Sequence, residues 1–187
     1  MAAMLFHSQS YTAVGVATIC QQAGVSKGSF FHFFRSKQEL AVAVLDQFLQ
    51  QINDTLVSRA FSQNLAPLER LDRFVDELYK FQKAMTKQYG HLPGCPFGNM
   101  AVEQATQDEV LRGKADRCLD ALKARLQQSI EDAIANGDLP PVNVPATADA
   151  MLGYIEGIQL LAKSRNDPVV IRKLGPAIKT IRVDDTG

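Results

Sequence analysis

Between Val14 and Leu40 the chain reads VGVATICQQAGVSKGSFFHFFRSKQEL, a pattern that suits two short helices with a sharp turn between them and a third helix behind. Val16, Ile19 and Ala23 share one face of the first helix. Gly24 follows, and glycine tolerates the backbone angles that such a turn requires. Ser26 is placed to cap the second helix by accepting a hydrogen bond from an otherwise unpaired backbone N–H. Phe30 and Phe34 lie four apart and pack inward, whereas Lys27, Ser29, Phe31 and His32 point elsewhere. Ser36-Lys37-Gln38-Glu39 is a capping box that opens a third helix. This is the layout of a helix-turn-helix, in which the second helix lies in the major groove of DNA.

The stretch AGVSKGSFFHFFRSKQEL also resembles the DNA-binding signature of the TetR (tetracycline-repressor) family of bacterial regulators. The likeness runs from about Leu5 to Leu45 and is carried by Gly24, Val25, Ser26, Lys27, Gly28, Phe34, Ser36 and Lys37. It implies an all-α protein with an N-terminal helix-turn-helix head and a C-terminal helical bundle that binds an effector and dimerises. Its DNA-facing set is Lys27, Gly28, Ser29, Phe31, His32 and Lys37. Lys27 and Lys37 stand at helix starts, where phosphates bind favourably. The chain departs from the family at Phe31, where members usually carry a tyrosine that bonds a phosphate, and at Val14-Gly15, where they favour hydroxyl residues. Met1–His7 resembles only the end of the family's first helix, so that helix is expected to be truncated.

Net charge is zero, and residues 1–50 hold only Lys27, Arg35 and Lys37 as bases against Glu39 and Asp46. Phosphate neutralisation supplies most non-specific DNA affinity, so binding per subunit is expected to be weak and a dimer to double it. With 46% apolar residues the chain can build a core. It has no long uncharged apolar run and no signal-peptide pattern, so no membrane span and a cytoplasmic location are expected. The three cysteines, Cys20, Cys95 and Cys118, lack metal-like spacing and suit a reducing compartment. No metal or other cofactor is expected.

About nine helices and no strand are expected, with a DNA-binding region over 1–46 and a sensing and dimerising region over 47–187. A long helix from Lys37 to about Phe61 carries Leu40, Val44, Phe48, Ile52 and Leu56 in one stripe. Pro67 opens the next, which runs to about Gln88 with Leu71, Phe74, Val75, Leu78, Phe81 and Met85 on one face. Two glycines and two prolines make 89–96 a loop. A short helix over 97–106 and a long one over 108–136 follow, the latter closed by Gly137. An apolar helix spans about 146–165, and a last one from near Pro168 breaks at Gly175-Pro176.

Gly94-Cys95-Pro96-Phe97-Gly98-Asn99 resembles the Gly-Cys-x-x-Gly-Asn segment of a TetR subgroup, some of whose members sense electrophiles. Cys95 stands ahead of a helix start, which would favour its thiolate, and Lys163 is a candidate partner; a small buried residue is the alternative. Phe97, Met100 and Tyr154, with Phe74, Leu78 and Ile158, are candidate effector contacts. Gly153 and Gly157 let two copies of the apolar helix approach, and with Leu161 they form the expected dimer seam. The leading reading is a homodimeric, ligand- or electrophile-responsive transcriptional regulator, a repressor acting on a double-stranded operator. The alternative is a dimeric ligand-binding or interaction protein whose head has decayed. An enzyme finds little support, since His7, His32 and His91 have no neighbouring nucleophile in sequence and no phosphate loop is present.

Overall fold

The computed structural model describes residues 1–185, in which the regular elements are all helical and no strand occurs. Helix α1 spans Ala2–Ser8, α2 Val16–Ala23 and α3 Lys27–Phe33. Helix α4 runs without a break through Lys37–Ile52, a π-helical turn over Asn53–Val57 and Ser58–Ala60. Then come α5 (Pro67–Tyr89), α6 (Pro96–Gln104), α7 (Glu109–Ala135), α8 (Val144–Arg165) and α9 (Val169–Leu174), which continues as a 3-10 turn over Gly175–Thr180. Among the described residues that makes the nine expected helices.

Local chemistry places most of these ends. Ser36 Oγ accepts from Glu39 N–H at 3.1 Å, and the Glu39 carboxylate accepts from Arg35 N–H at 2.6 Å, which starts α4. Pro67 and Pro96 open their helices, where a missing N–H costs nothing. Asn143 caps α8 through Ala146 N–H at 3.0 Å. The α6 helix ends earlier than expected because residues 105–107 turn into Asp108, whose carboxylate caps α7 through Leu111 N–H at 3.1 Å. The π-helical turn is not foreshadowed by the i, i+4 stripe, and Leu56 and Val57 within it are both buried.

By packing, the chain forms two compact units. The first comprises Met1–Gln51 with Pro96–Cys118, and the second Ile52–Cys95 with Leu119–Gly187, of which 186–187 lie outside the described residues. This division differs from a single border at 46/47, because α6 and the start of α7 pack with the head. Their polar anchors are mutual: Gln38 Nε2 donates to Asp108 Oδ2 at 2.7 Å, and Lys114 pairs with Asp46.

The second unit buries the expected faces of α5 (Leu71, Phe74, Val75, Leu78, Met85) and α8 (Met151, Ile155, Ile158, Ala162). Phe81, expected on the same face of α5, is only half-buried. Gly175 is obligatory by contact, since a Cβ there would lie 2.2 Å from Val75 Cγ1. Arg70, 5% exposed, ties the 61–66 connector to α5 and α7: Nε donates to Leu65 O at 3.2 Å, and the guanidinium pairs with Asp132. Hydrogen bonds from Arg70 and then Gln128 hold the Asp132 carboxyl below the usual carboxylate value. A depressed native pKa stabilises the fold above the unfolded pKa, and that contribution is lost as pH falls through the native one. Asp132→Asn is therefore expected to cost about 1–3 kcal/mol at pH 7, with the gap to wild type narrowing in urea titrations below pH 4.

Candidate nucleic-acid interface

The turn between α2 and α3 is built as its residues dictate. Gly24 has φ +67°, its N–H donates to Gln21 O at 3.2 Å, and Val25 N–H donates to Cys20 O at 3.0 Å. Ser26 Oγ accepts from Ser29 N–H at 3.0 Å and lies 3.0 Å from Ser29 Oγ, so α3 starts on a satisfied cap. Ile19, Cys20 and Phe30 are buried, and Val16 is half-buried. Ala23, expected on the inward stripe of α2, is instead exposed. It sits in the last turn where the chain veers off at Gly24, and Cys20 fills the i+4 position of the buried face.

Phe30 packs edge-on against Phe31 at 5.0 Å and tilted against Phe34 at 5.9 Å. With that side inward, Lys27, Gly28, Ser29, Phe31, His32 and Phe33 are all exposed along α3. Five of the six expected DNA-facing residues thus share one open surface, and Phe33, absent from the expected set, joins them at 74% exposure. In sequence Phe33 is assigned to neither face, and its place within the aromatic run Phe30–Phe34 carries no local signal that sets it apart.

Lys37, the sixth, is turned inward. Its Nζ donates to Tyr11 O at 2.9 Å and Val14 O at 3.1 Å, and lies 4.1 Å from the centroid of the Tyr11 ring. Burial lowers its pKa, with Glu103 opposing. Glu103 Oε2 accepts from Thr12 N–H at 3.0 Å and from its hydroxyl at 3.1 Å, and Gln104 Nε2 donates to Thr12 Oγ1 at 3.0 Å. Loop 9–15 is therefore clasped from α4 and α6 at once. Nothing local in the sequence announces this, since Thr12 and Glu103 are 91 residues apart.

In the second unit, Cys95 is 7% exposed and directly precedes Pro96, the first residue of α6. Its thiol is hydrogen-bonded with the Glu156 carboxyl, which burial pushes up in pKa against that bond and one from Gln159. Gln159 Nε2 donates to Glu156 Oε1 at 3.1 Å, and Gln82 Nε2 donates to Gln159 Oε1 at 2.9 Å and Gly94 O at 3.0 Å. The acid Glu156 thus takes the place beside sulfur for which Lys163 is the sequence candidate; Lys163 is exposed near the end of α8. Glu156 and Gln159, the two polar side chains within the apolar stretch 150–162 besides the Tyr154 hydroxyl, are the available sequence signal for this cluster.

The effector candidates scatter. Phe74, Leu78, Ile158, Phe97 and Met100 are buried, while Tyr154 is half-buried with its hydroxyl donating to Leu174 O at 2.8 Å. Met100 lines a cavity of about 20 Å³ with Phe6, Tyr11 and Phe48, room for a water and little more. Gly153, Gly157 and Leu161 are exposed on α8, and neither glycine Cβ position has an atom within 4 Å. Among the described residues no group of three His, Cys, Asp or Glu is placed to hold a metal, and no helix is long and apolar enough to cross a membrane.

Residues 1–44 match the bacterial regulatory proteins of the tetR family, and residues 67–178 match the tetracyclin repressor-like C-terminal domain. The chain belongs to the TetR family of transcriptional regulators, which are not enzymes. It is 31% identical to the transcriptional regulator AcuR of Cereibacter sphaeroides over 169 residues, 86% of this chain and 73% of AcuR. A crystal structure of regulatory protein TetR from Rhodobacter sphaeroides superposes with a TM-score of 0.82 at 27% identity, covering 97% of this chain and 95% of that one. The reduced form of Escherichia coli NemR shares the fold, with a TM-score of 0.78 at 22% identity over 100% of this chain and 97% of that one.

Two lysines of one head should respond differently to removal. Lys27→Ala is expected to weaken binding to all duplexes and to flatten the dependence of log K on log salt by about 0.9 for each phosphate the side chain neutralises. Lys37→Ala is expected to lower the thermal midpoint of the protein, with a smaller change in salt slope. Fluorescence anisotropy across a salt series, beside circular dichroism melts, separates the two.

Proposed function

We propose that this chain is a homodimeric regulator that binds a near-palindromic operator through α3 and leaves it when a small molecule or electrophile engages the second unit. The observation that carries this reading is the capped α2–turn–α3 with one face of α3 open to solvent. Lys27, Gly28, Ser29, Phe31 and His32 are its DNA-facing residues, with Lys37 supporting them from behind. Repression is the expected sense of control, in line with the relatives named as repressors, NemR of Escherichia coli and DhaR of a Mycobacterium. The cytoplasm is the expected location, because that is where an operator is reached.

Dimerisation is supported by α8. Its buried side is Met151, Ile155, Ile158 and Ala162, yet it also exposes Leu160 at 67% and Leu161 at 40% beside Gly153 and Gly157. Exposed apolar surface next to small residues suits close packing against a second copy. A dimer would set its recognition helices about 34–36 Å apart.

A second reading has an observation of its own. With Lys37 committed to carbonyls, residues 1–50 expose only Lys27 and Arg35 as lasting side-chain cations, which favours a head that has lost DNA affinity. The protein is expected to retain duplex DNA of its own promoter region in a salt-sensitive manner; no retention at low salt would favour the second reading. Sedimentation is expected to give a dimer at micromolar concentration and a monomer or aggregate for Gly157→Leu.

For the effector, Cys95 is the proposed reactive thiol, hydrogen-bonded with Glu156 in the second unit, and Phe97, Met100, Tyr154 and Lys163 are candidate contacts of a ligand. Cys118 is 1% exposed and burial pushes its thiol up in pKa, so it should react slowly. With limiting alkylating reagent, mass spectrometry is expected to find Cys95 modified ahead of Cys20 and Cys118, and Cys95→Ser to stay on DNA when wild type is released. Equal reactivity of all three, or equal release by Cys95→Ser, would make the thiol structural and the effector non-covalent.

A further inference from the structure

The open face of α3 is nearly bare of groups that read base edges by hydrogen bonding. Over KGSFFHF there is no Arg, Asn, Gln, Asp or Glu. The Ser29 hydroxyl is engaged with Ser26 Oγ, which leaves Lys27 and His32 as its other polar side chains. What the face presents instead is aromatic: Phe31 is 54% exposed and Phe33 74% exposed.

The helix geometry sorts these side chains. With Phe30 inward at 6% exposure, and about 100° between successive residues, Gly28 and His32 occupy the middle of the outer face. Phe31 and Phe33 are two residues apart, so they stand on opposite flanks. Gly28 keeps the middle low: a Cβ there would meet only Ser26 Oγ, at 3.6 Å. The surface dips at Gly28, with Lys27 and Phe31 on one flank and the Phe33 ring, packed edge-on against His32 at 5.0 Å, on the other.

In the major groove the apolar group that a base pair presents is the thymine 5-methyl, and apolar side chains pair with it. A phenyl ring has no donor for a phosphate, so its gain on docking comes from displacing water against such a methyl. We propose that Phe31 and Phe33 are specificity-determining residues that select thymines in the operator by contact with their 5-methyl groups. The inference rests on the DNA-binding reading above and adds to it the chemistry of sequence choice.

Deoxyuridine lacks only that methyl and so isolates the contact. A duplex enriched from a randomised pool by the wild-type chain is resynthesised with each thymine in turn replaced by deoxyuridine. At one or more thymines per half-site the replacement is expected to weaken binding about fourfold, and about fifteenfold when both half-sites are changed, as burial of one methyl group implies. Phe31→Ala and Phe33→Ala should each abolish the deoxyuridine penalty at its own position while the penalty at the other ring's position persists. Both rings are exposed, so both variants are expected to keep wild-type circular dichroism; the deoxyuridine series on wild type stands even if one does not. Tight binding that is indifferent to deoxyuridine at every position overturns the inference and leaves the DNA-binding reading intact, as do penalties that persist in both folded variants. Failure to enrich any duplex overturns the DNA-binding reading and this inference with it.

Discussion

The ammonium group of Lys37 holds the first unit in register. It lies in the first turn of α4, beside the Ser36–Glu39 capping box, and reaches back to Tyr11 O and Val14 O while resting on the Tyr11 ring. Partly burying an ammonium disfavours its charge, and its lowered pKa records that cost; the two carbonyls, the aromatic face and Glu103 offset it. Because Val14 leads directly into α2, the start of α2 is set by the start of α4. The turn at Gly24 then passes that orientation to α3. At seven residues α3 is short for an independent helix, and it gains its direction from this arrangement rather than from its own length.

The same loop is held from a second side by Glu103 and Gln104 on α6. Helix α6 begins one residue after Cys95, so the segment that follows the thiol is bound within the head's own unit to the loop that precedes α2. Regulation in such a protein needs a group that differs in its contacts between two states, and a ligand shifts the balance only by its differential affinity for them. Thr12 donates two hydrogen bonds to Glu103 and accepts one from Gln104, so two neighbouring residues of one helix hold it.

The second unit uses buried polar groups in a comparable way. Gln82 on α5 links Gly94 O to Gln159 on α8, Gln159 links to Glu156, and Glu156 to the Cys95 thiol. A chain of this sort strengthens itself in low dielectric and specifies one arrangement of the 90–95 loop against α5 and α8. It is not fully satisfied: Gln82 Oε1 is buried without a hydrogen-bond partner.

Caps, turns and stripes are readable from the amino-acid order because each is settled by residues within about one helical turn. Ser26, Gly24, the Ser36–Glu39 box, Pro67, Gly137 and the Leu40–Leu56 stripe behave as their local chemistry requires, and the resemblance carried by 23–40 leads to the right family. What they do not reveal is how a long side chain is spent. Lys37 reads in sequence as a surface cation and is a clasp; Lys163 reads as a partner for Cys95, and Glu156 holds that place. Phe33 has no assigned face in sequence and is exposed, and 96–118 reads as body and packs with the head. Each of these depends on which residue, tens of positions away, arrives within 3 Å. Contact at that range follows from tertiary packing, whereas a helix cap needs only its nearest neighbours.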